Sequence, residues 1–242
     1  LASGVRLNTA GELFVQHIRT QTAELARVQS QIADLSGIRR GHVRIASGAD
    51  TMRYFLPETV ARYRGEHPAV TFDLVRQSGD SAEQAIRTFE ADLALIFEPI
   101  KSADFQTMAT ARQQLYCMMS ANHPLAKKPI IRLRDCVGQP AILPRADAGL
   151  RQLLNVGLIR RSVELGTVIE SNSQEFLQNY LTHEIVISFQ IPIAMPSDLI
   201  TASAPNSEIV ARPVDLADVP AGILHIGQLK GRVLPVAAAK FL

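Results

Sequence analysis

The residues best suited to chemistry lie in loops where predicted strands turn into predicted helices. Free backbone N–H groups at a helix N-terminus carry a partial positive charge there, so carboxylates and other anions bind readily. Such loops occur in both halves of the chain. Their candidate effector-binding residues are Gly48, Asp50, Thr51, Gly79, Asp80, Ser81, Phe97, Glu98, Arg145, Asn172, Ser173, Phe189 and Gln190. This set predicts a site for a small molecule.

Most of these residues also have a purely structural interpretation. Asp50, Asp80 and Ser173 stand where a side chain can cap a helix, which stabilises the helix by about 1 kcal/mol without any ligand. Phe97 and Phe189 end apolar strands and equally fit a hydrophobic core. Both interpretations stay open at this point.

Arg145 is the sharper candidate because it directly follows the apolar strand "AILP". A guanidinium in a loop at the site can hold a carboxylate through two parallel hydrogen bonds. An exposed loop arginine without a role is the alternative.

Catalytic and metal-binding patterns are missing from the sequence. The histidines are scattered, and neither a nucleophile motif nor a glycine-rich phosphate loop occurs. The six positions are His17, His42, His67, His123, His183 and His225. We therefore predict that the protein is not an enzyme and has no metal or cofactor.

Two cysteines, Cys117 and Cys136, are too few for a disulfide framework and suit a reducing compartment. They fit small core residues, with a redox-sensing pair as the alternative. No run approaches the roughly 18 apolar residues of a membrane span, and no signal peptide is recognisable. We expect a cytoplasmic protein without membrane contact.

The elements that position the candidate loops alternate between strand and helix. Apolar strand patterns at 42–48, 70–77 and 93–97 are separated by helical patterns, which gives a βαβαβ unit. A second such unit follows, with strands at 140–144, 166–171 and 185–189 among others. This alternation predicts an α/β fold with mostly parallel sheets and ligands bound beyond the carboxyl ends of the strands. With 242 residues, two lobes with a cleft between them are expected.

A long helix is predicted ahead of these units. "TAGE" places Thr9 three residues before Glu12, the arrangement of a capping box, and Gly37 supplies a stop. A heptad seam runs along this helix and predicts dimerisation. Its members are Phe14, Ile18, Gln21, Leu25, Val28, Ile32 and Leu35. Packing of the stripe on the same chain is the alternative, although the "GIRRG" hinge that follows disfavours it.

Basic charge is concentrated at the N-terminal end. Residues 1–44 hold six arginines against three acids, a balance of +3, so the rest of the chain carries −1 of the total +2. This asymmetry suits an end that lies near an acidic polymer.

Several segments, in order, resemble LysR-type transcriptional regulators. "GVRLNTAGELFVQHIRT" is similar to the end of the DNA-binding wing and the start of the linker helix in that family. "LSGIRRGHVRIASGADTMRYFLPETVARYRGEHPAVTFDLV", "GDSAEQAIRTFEADLALIF", "NHPLA" and "AILP" resemble its regulatory domain. The resemblance covers nearly the whole chain.

The resemblance implies a periplasmic-binding-protein type II fold of two Rossmann-like subdomains. It divides the chain into a wing remnant (1–8), a linker helix (9–36), a hinge (37–41), subdomain I (42–112 and 228–242) and subdomain II (113–227). Most of the family's winged helix-turn-helix would then precede the sequence. The implied partners are a small, carboxylate-bearing effector, a second copy in a homodimer or homotetramer, DNA through the missing domain, and RNA polymerase.

The family often has a neutral hydroxyl residue at the position of Asp50. An acid there, with Glu98 near it and Arg145 in the other lobe, suits an effector that carries both an amine and a carboxylate. A solute-binding protein of a transporter shares the implied fold and is the alternative function, but it has no use for the heptad helix.

Overall fold

The chain is an α/β protein with two mixed sheets. The computed structural model describes residues 7–35, 40–77, 79–200 and 207–241, with only the backbone for residues 30 and 33–35. The helices are α1 (Thr9–Leu35), α2 (Ala49–Met52), α3 (Phe55–Glu66), α4 (Asp80–Arg87), α5 (Gly149–Arg161), α6 (Gln174–Tyr180), α7 (Ser197–Ile200) and α8 (Val236–Phe241). The strands are β1 (Gly41–Ser47), β2 (Val70–Arg76), β3 (Leu93–Phe97), β4 (Phe105–Gln113), β5 (Tyr116–Ser120), β6 (Pro140–Pro144), β7 (Gly166–Ser171), β8 (Ile187–Gln190), β9 (Ile209–Pro213) and β10 (Gly222–Leu229).

Each sheet forms the centre of one lobe. The first has the order β2-β1-β3-β10-β4 and the second the order β7-β6-β8-β5-β9. In each sheet the first three strands in this order pair in parallel. The fourth strand pairs antiparallel with both of its neighbours. The two-lobed fold predicted from the sequence is thereby confirmed.

Two connections join the lobes. Gln114 and Leu115 link β4 to β5, and residues 214–221 link β9 back to β10. The predicted return to the first lobe at residue 228 falls inside β10, which pairs with β3 and β4 from Gly222 onward. The start of this return is therefore corrected to Gly222. The sequence analysis had also not assigned β4, whose face pattern is mostly exposed.

Apolar side chains fill both faces of each sheet. Val43, Ile45 and Leu93 pack with α3 and α8 on one face of the first sheet, and Ala46, Ile86 and Ile96 pack on the other. The second lobe has two clusters of its own. Both cysteines are fully buried in this lobe, and burial and the neighbouring Cys136 thiol raise the pKa of Cys117 well above its ordinary value. A buried, protonated thiol suits a core role.

The cap of helix α1 lies one residue before the predicted cap Thr9, which is the first residue of the helix. The Asn8 side chain accepts a hydrogen bond from the Gly11 N–H (2.8 Å), so Asn8 rather than Thr9 caps the helix. The helix ends at Leu35, before the predicted stop at Gly37. Residue 36 of the predicted linker helix, residues 37–39 of the predicted hinge and residues 1–6 of the predicted wing remnant lie outside the described residues.

The two faces of α1 have different surroundings. On one face Ala23 is buried, and Arg19 forms an ion pair of 2.8 Å with Glu90 of the first lobe. The predicted seam lies on the opposite face. Phe14, Ile18, Gln21, Leu25, Val28 and Ile32 are all exposed there, while the Leu35 side chain lies outside the description. The helix thus contacts its own lobe with the face that carries Arg19 and Ala23, and the seam side chains on the opposite face are exposed.

Candidate functional site

The site is built on the corner where β1 turns into α2. β1 lies between β2 and β3 in parallel, and Ser47 at its carboxyl end is paired with Arg76 and Leu95. Ser47 and Thr51 are both buried, and their hydroxyl groups are hydrogen-bonded to each other. This hydrogen bond joins the end of β1 to α2. Asp50 lies between the two hydroxyl residues in the chain and contacts the second lobe.

Three polar side chains connect the lobes here, and we name Asp50, Gln174 and Gln190 the interlobe bridge. The Gln174 amide, in the first turn of α6, donates from Nε2 to Asp50 Oδ1 (2.6 Å). Gln190, at the end of β8, donates from Nε2 to Gln174 Oε1 and accepts the Ile191 N–H (2.9 Å). The bridge therefore runs from the first lobe through α6 into the second sheet.

The Asp50 carboxyl group is in an unfavourable environment for its charge. Burial raises its pKa to about 6, and the hydrogen bond from Gln174 offsets only part of this rise. Among the described residues no cation pairs with it. Arg53 lies nearby in sequence, but its guanidinium donates to Gln178 Oε1 (2.5 Å) and stacks 5.2 Å from the centre of the Tyr54 ring.

A second acceptor without a donor lies beside this corner. Gln77 follows β2, and its backbone N–H donates to the Ser47 carbonyl (2.9 Å), which holds it next to the end of β1. Its side-chain oxygen, Oε1, is buried and has no hydrogen-bond partner among the described residues. Buried polar atoms are almost always satisfied in folded proteins, so this oxygen is an exception at the corner.

Close packing between the lobes occurs at the end of β3. Phe97 packs against the core of the second lobe, and a side chain at Gly149 would meet the Glu98 carbonyl oxygen at 2.5 Å. Phe189 is 2% exposed and belongs to that same core. Both phenylalanines therefore follow the core interpretation.

The residues at the start of α4 form a separate cluster. Gly79 has a positive φ of 51° and caps the helix, which leaves Asp80 in the first turn, with an ion pair of 2.9 Å to Lys101. The hydrogen bond to Asp80 raises the pKa of Lys101. Ser81 is exposed on the same turn. The structure does not bring this cluster into the interlobe bridge.

The three predicted helix caps have different outcomes. Ser173 does cap α6, because its hydroxyl oxygen accepts the Phe176 N–H (3.2 Å). The caps of α2 and α4 are Gly48 and Gly79, so the interpretation of Asp50 and Asp80 as caps is wrong. Asp50 instead bonds to the opposite lobe.

Arg145 and Asn172 are exposed in the loops that follow β6 and β7. The structure shows no contact between Arg145 and the bridge, and its role in holding a carboxylate stays a prediction. The expected proximity of Glu98 to Asp50 also stays a prediction, and the hydrogen bond that Asp50 accepts comes from Gln174.

Sequence reasoning missed Ser47, Gln77 and Gln174. Ser47 and Gln77 end strands, so the rule that ligands lie beyond strand ends could have found them. Gln174 directly follows the correctly predicted cap Ser173, but nothing in its sequence position indicates that its amide reaches the other lobe.

Beyond the interlobe bridge, the described part of the chain has a groove but neither a cluster of metal-ligating side chains nor a helix that could span a membrane. No three His, Cys, Asp or Glu side chains within the described ranges are placed to hold a metal ion. No helix in those ranges is long and apolar enough to cross a bilayer. A groove of about 750 Å³ lies between α1 and the first lobe, where Val15, Arg19, Arg87 and Phe89 are among its lining residues.

The chain is similar to bacterial transcription regulators along most of its length. Residues 36–242 match the family model described as the LysR substrate binding domain. The HTH-type transcriptional activator CmpR of Synechocystis is 24% identical over 72% of this chain and 57% of its own. The uncharacterized HTH-type transcriptional regulator YbhD of Escherichia coli is 23% identical over 98% of this chain and 73% of its own.

Solved structures show the same fold. The effector binding domain of QuiR in complex with shikimate has a TM-score of 0.70 at 18% identity and covers 84% of this chain and 93% of its own. The regulatory domain of Synechocystis CcmR in complex with 2-PG has a TM-score of 0.70 at 19% identity, with 84% and 94% covered. The chain therefore belongs to the LysR family of transcriptional regulators, and residues 36–242 form its substrate-binding domain.

Proposed function

We propose that this chain senses a small-molecule effector between its two lobes and passes the signal to DNA-binding elements through an oligomer. The observation that carries the proposal is the interlobe bridge, because one hydrogen-bonded chain from Asp50 to Gln190 holds the two lobes at the strand ends where α/β folds bind ligands. An effector that replaces these hydrogen bonds would change the position of one lobe relative to the other.

The comparisons support a regulator over the solute-binding protein of a transporter. The relatives are transcriptional regulators, and two structural neighbours hold shikimate and 2-PG. Both are small molecules with anionic groups, in line with the predicted carboxylate-bearing effector. The proposal includes no catalytic activity.

Self-association through α1 is the second part of the proposal. The seam residues Phe14, Leu25 and Ile32 are 65%, 59% and 58% exposed, which is unusual for large apolar side chains at heptad spacing. A second copy of the chain would bury them. The same proposal includes DNA binding, contact with RNA polymerase and action in the cytoplasm for the whole protein. This chain spans only 57% of the length of its relative CmpR.

Effector binding is tested by a thermal-shift screen of metabolites, followed by calorimetry on each hit. A ligand that binds the folded state raises the unfolding midpoint as its concentration exceeds the dissociation constant. Gln190→Ala should weaken the hit by about tenfold or more, since it leaves the bridge incomplete. Gln106→Ala, an exposed glutamine on β4, is the matched control. Equal affinity for both variants would place the ligand elsewhere.

Self-association is tested by sedimentation of the double variant Leu25→Glu and Ile32→Glu. Two charges in the seam should dissociate the oligomer and leave the lobes folded. Ala26→Glu adds a charge to an exposed α1 position outside the seam and should leave the oligomer intact. A monomeric wild-type chain at micromolar concentration would contradict this part of the proposal.

A further inference from the structure

We propose that the effector of this protein carries a cationic amino group, and that Asp50 and the side-chain oxygen of Gln77 accept its hydrogen bonds. This inference rests on the proposed function and specifies the class of ligand.

The buried acids of this chain differ from the partly buried Asp50 in how their charge is balanced. Asp92 has two arginines, and Asp218 pairs with Arg161 at 2.8 Å and accepts the Leu133 N–H at 2.9 Å. Glu83 accepts the Lys101 N–H at 2.8 Å, and the charge of Lys101 lies close enough to interact with it. Asp50 is partly buried and has only the neutral Gln174 amide as a side-chain partner among the described residues. Removing a carboxylate from much of the solvent without a counter-charge is costly, so a cation from outside is favoured.

The second acceptor makes the site selective for hydrogen-bond donors. Gln77 Oε1 is buried and has no donor, and its residue is bonded to Ser47, three positions before Asp50. An ammonium group has three donors and no acceptor, so it can satisfy a carboxylate oxygen and an amide oxygen together. A ligand that offered only acceptors to this corner would leave both unsatisfied and add repulsion with Asp50.

Binding would also rearrange the bridge. The ammonium group would take the place of the Gln174 Nε2 donor on Asp50, because a charge-assisted bond is stronger than the neutral-amide bond it replaces. Gln174 and Gln190 would then be free to bond the rest of the ligand. Recognition of the amine and release of the bond between the lobes are thus one event.

The test uses pairs of compounds that share a carbon skeleton and differ in the amine. Calorimetry on the full chain at pH 7.5 would compare L-phenylalanine with 3-phenylpropionate, L-leucine with 4-methylpentanoate, and L-glutamate with glutarate, and would include L-lysine and putrescine. We expect at least one amine-bearing compound to bind, with the amine-free partner of a bound amino acid weaker by about tenfold or more.

Two variants assign the effect to the proposed residues. Asp50→Asn should weaken the amine-bearing probe by about tenfold or more, and Gln77→Leu should weaken it less, because it removes a neutral acceptor. Asp104→Asn is the matched control, since this carboxylate is exposed, already contacts Arg87 and is outside the candidate site. Circular dichroism checks that each variant is folded.

The outcomes separate the inference from the proposed function. Tighter binding of the amine-free acids, or unchanged affinity of Asp50→Asn for the amine-bearing probe, overturns the inference while effector binding stands. If no compound of either class binds, the inference is overturned, and a wider metabolite screen that is also negative overturns the proposed function.

Discussion

Two aspartates at opposite ends of the first sheet, Asp92 fully buried and Asp50 partly buried, differ in how their charge is balanced. Asp92, just before β3, is 1% exposed and contacts Arg232 Nη2 at 2.7 Å, Arg44 Nη2 at 2.9 Å and the Arg44 N–H at 3.0 Å. Asp50, at the end of β1 that faces the second lobe, has a neutral amide as its partner and a pKa raised to about 6 by burial. One carboxylate is complete within the chain, and the other is not.

The difference in charge balance indicates which end of the first lobe holds the fold together and which end is suited to a ligand. A fully paired acid fixes β1, β3 and the segment after β10 to one another, next to the contact with α1. An incompletely paired acid lowers the stability of the empty protein and leaves room for a ligand to supply the missing charge, as functional sites commonly do. The comparison thus separates a rigid end from a responsive end.

Asp92→Asn should give the largest change. It leaves the guanidinium of Arg232, which is only 4% exposed, without its charged partner, and breaking such a buried pair costs about 3–5 kcal/mol. Urea unfolding measures the loss. Asp104→Asn is the control, because its 4.0 Å contact with Arg87 is exposed and a surface pair contributes about 0–1 kcal/mol. A loss below about 1 kcal/mol for Asp92→Asn would remove the contrast.

Asp50→Asn should have the opposite sign and stabilise the ligand-free protein by about 2 kcal/mol at pH 7. The folded pKa of about 6 lies above the ordinary value of 3.8, so the wild type loses stability as pH rises from about 4 to 6. The gain of the variant should therefore be absent near pH 4 and complete above pH 7. Thermal unfolding across this range measures it, and a pH-independent difference would argue against a desolvated carboxylate.

Gln174→Ala should destabilise the protein by about 1–2 kcal/mol, because it removes the donor to Asp50 and the acceptor for Gln190. Hydrogen exchange should increase in α2 and α6, on both sides of the bridge, while the segment around Asp92 keeps its protection. Faster exchange throughout the first lobe would mean that its two ends are not independent.

Arg53→Ala should have the smallest effect, about 0.5 kcal/mol or less, since its bond to Gln178 is exposed. This variant asks whether Arg53 acts as the counter-charge of Asp50. If it does, the pH dependence assigned to Asp50 will steepen in the variant. An unchanged pH profile, measured by the same thermal unfolding, is the expected result.

The sequence was sufficient for features that depend on local pattern. Alternating apolar strands such as 93–97 and 140–144, and the cap at Ser173, follow from side-chain periodicity and from the hydroxyl group that satisfies a helix N-terminus. The heptad spacing of the seam of α1 was equally predictable from the sequence. The mostly exposed β4 was not, because this edge strand of the first sheet lacks a regular buried face.

The candidate site was predictable only in outline. Loops beyond strand ends were predicted as a class, and Asp50 was among their residues. Its bond to Gln174, 124 residues away, was not predicted. Such contacts depend on the relative placement of two lobes, which no spacing along the chain encodes.

By itself, then, the sequence determined most of the elements, the heptad spacing of α1 and the residue types at each strand end, because these depend on short-range periodicity and on side-chain chemistry. Only the tertiary structure decided that the seam is exposed, that Asp92 is neutralised, and that Asp50 has no cation among the described residues. The two arginines of Asp92 come from β1 and from the segment after β10, and the missing cation at Asp50 is apparent only once the second lobe is in place to bury it.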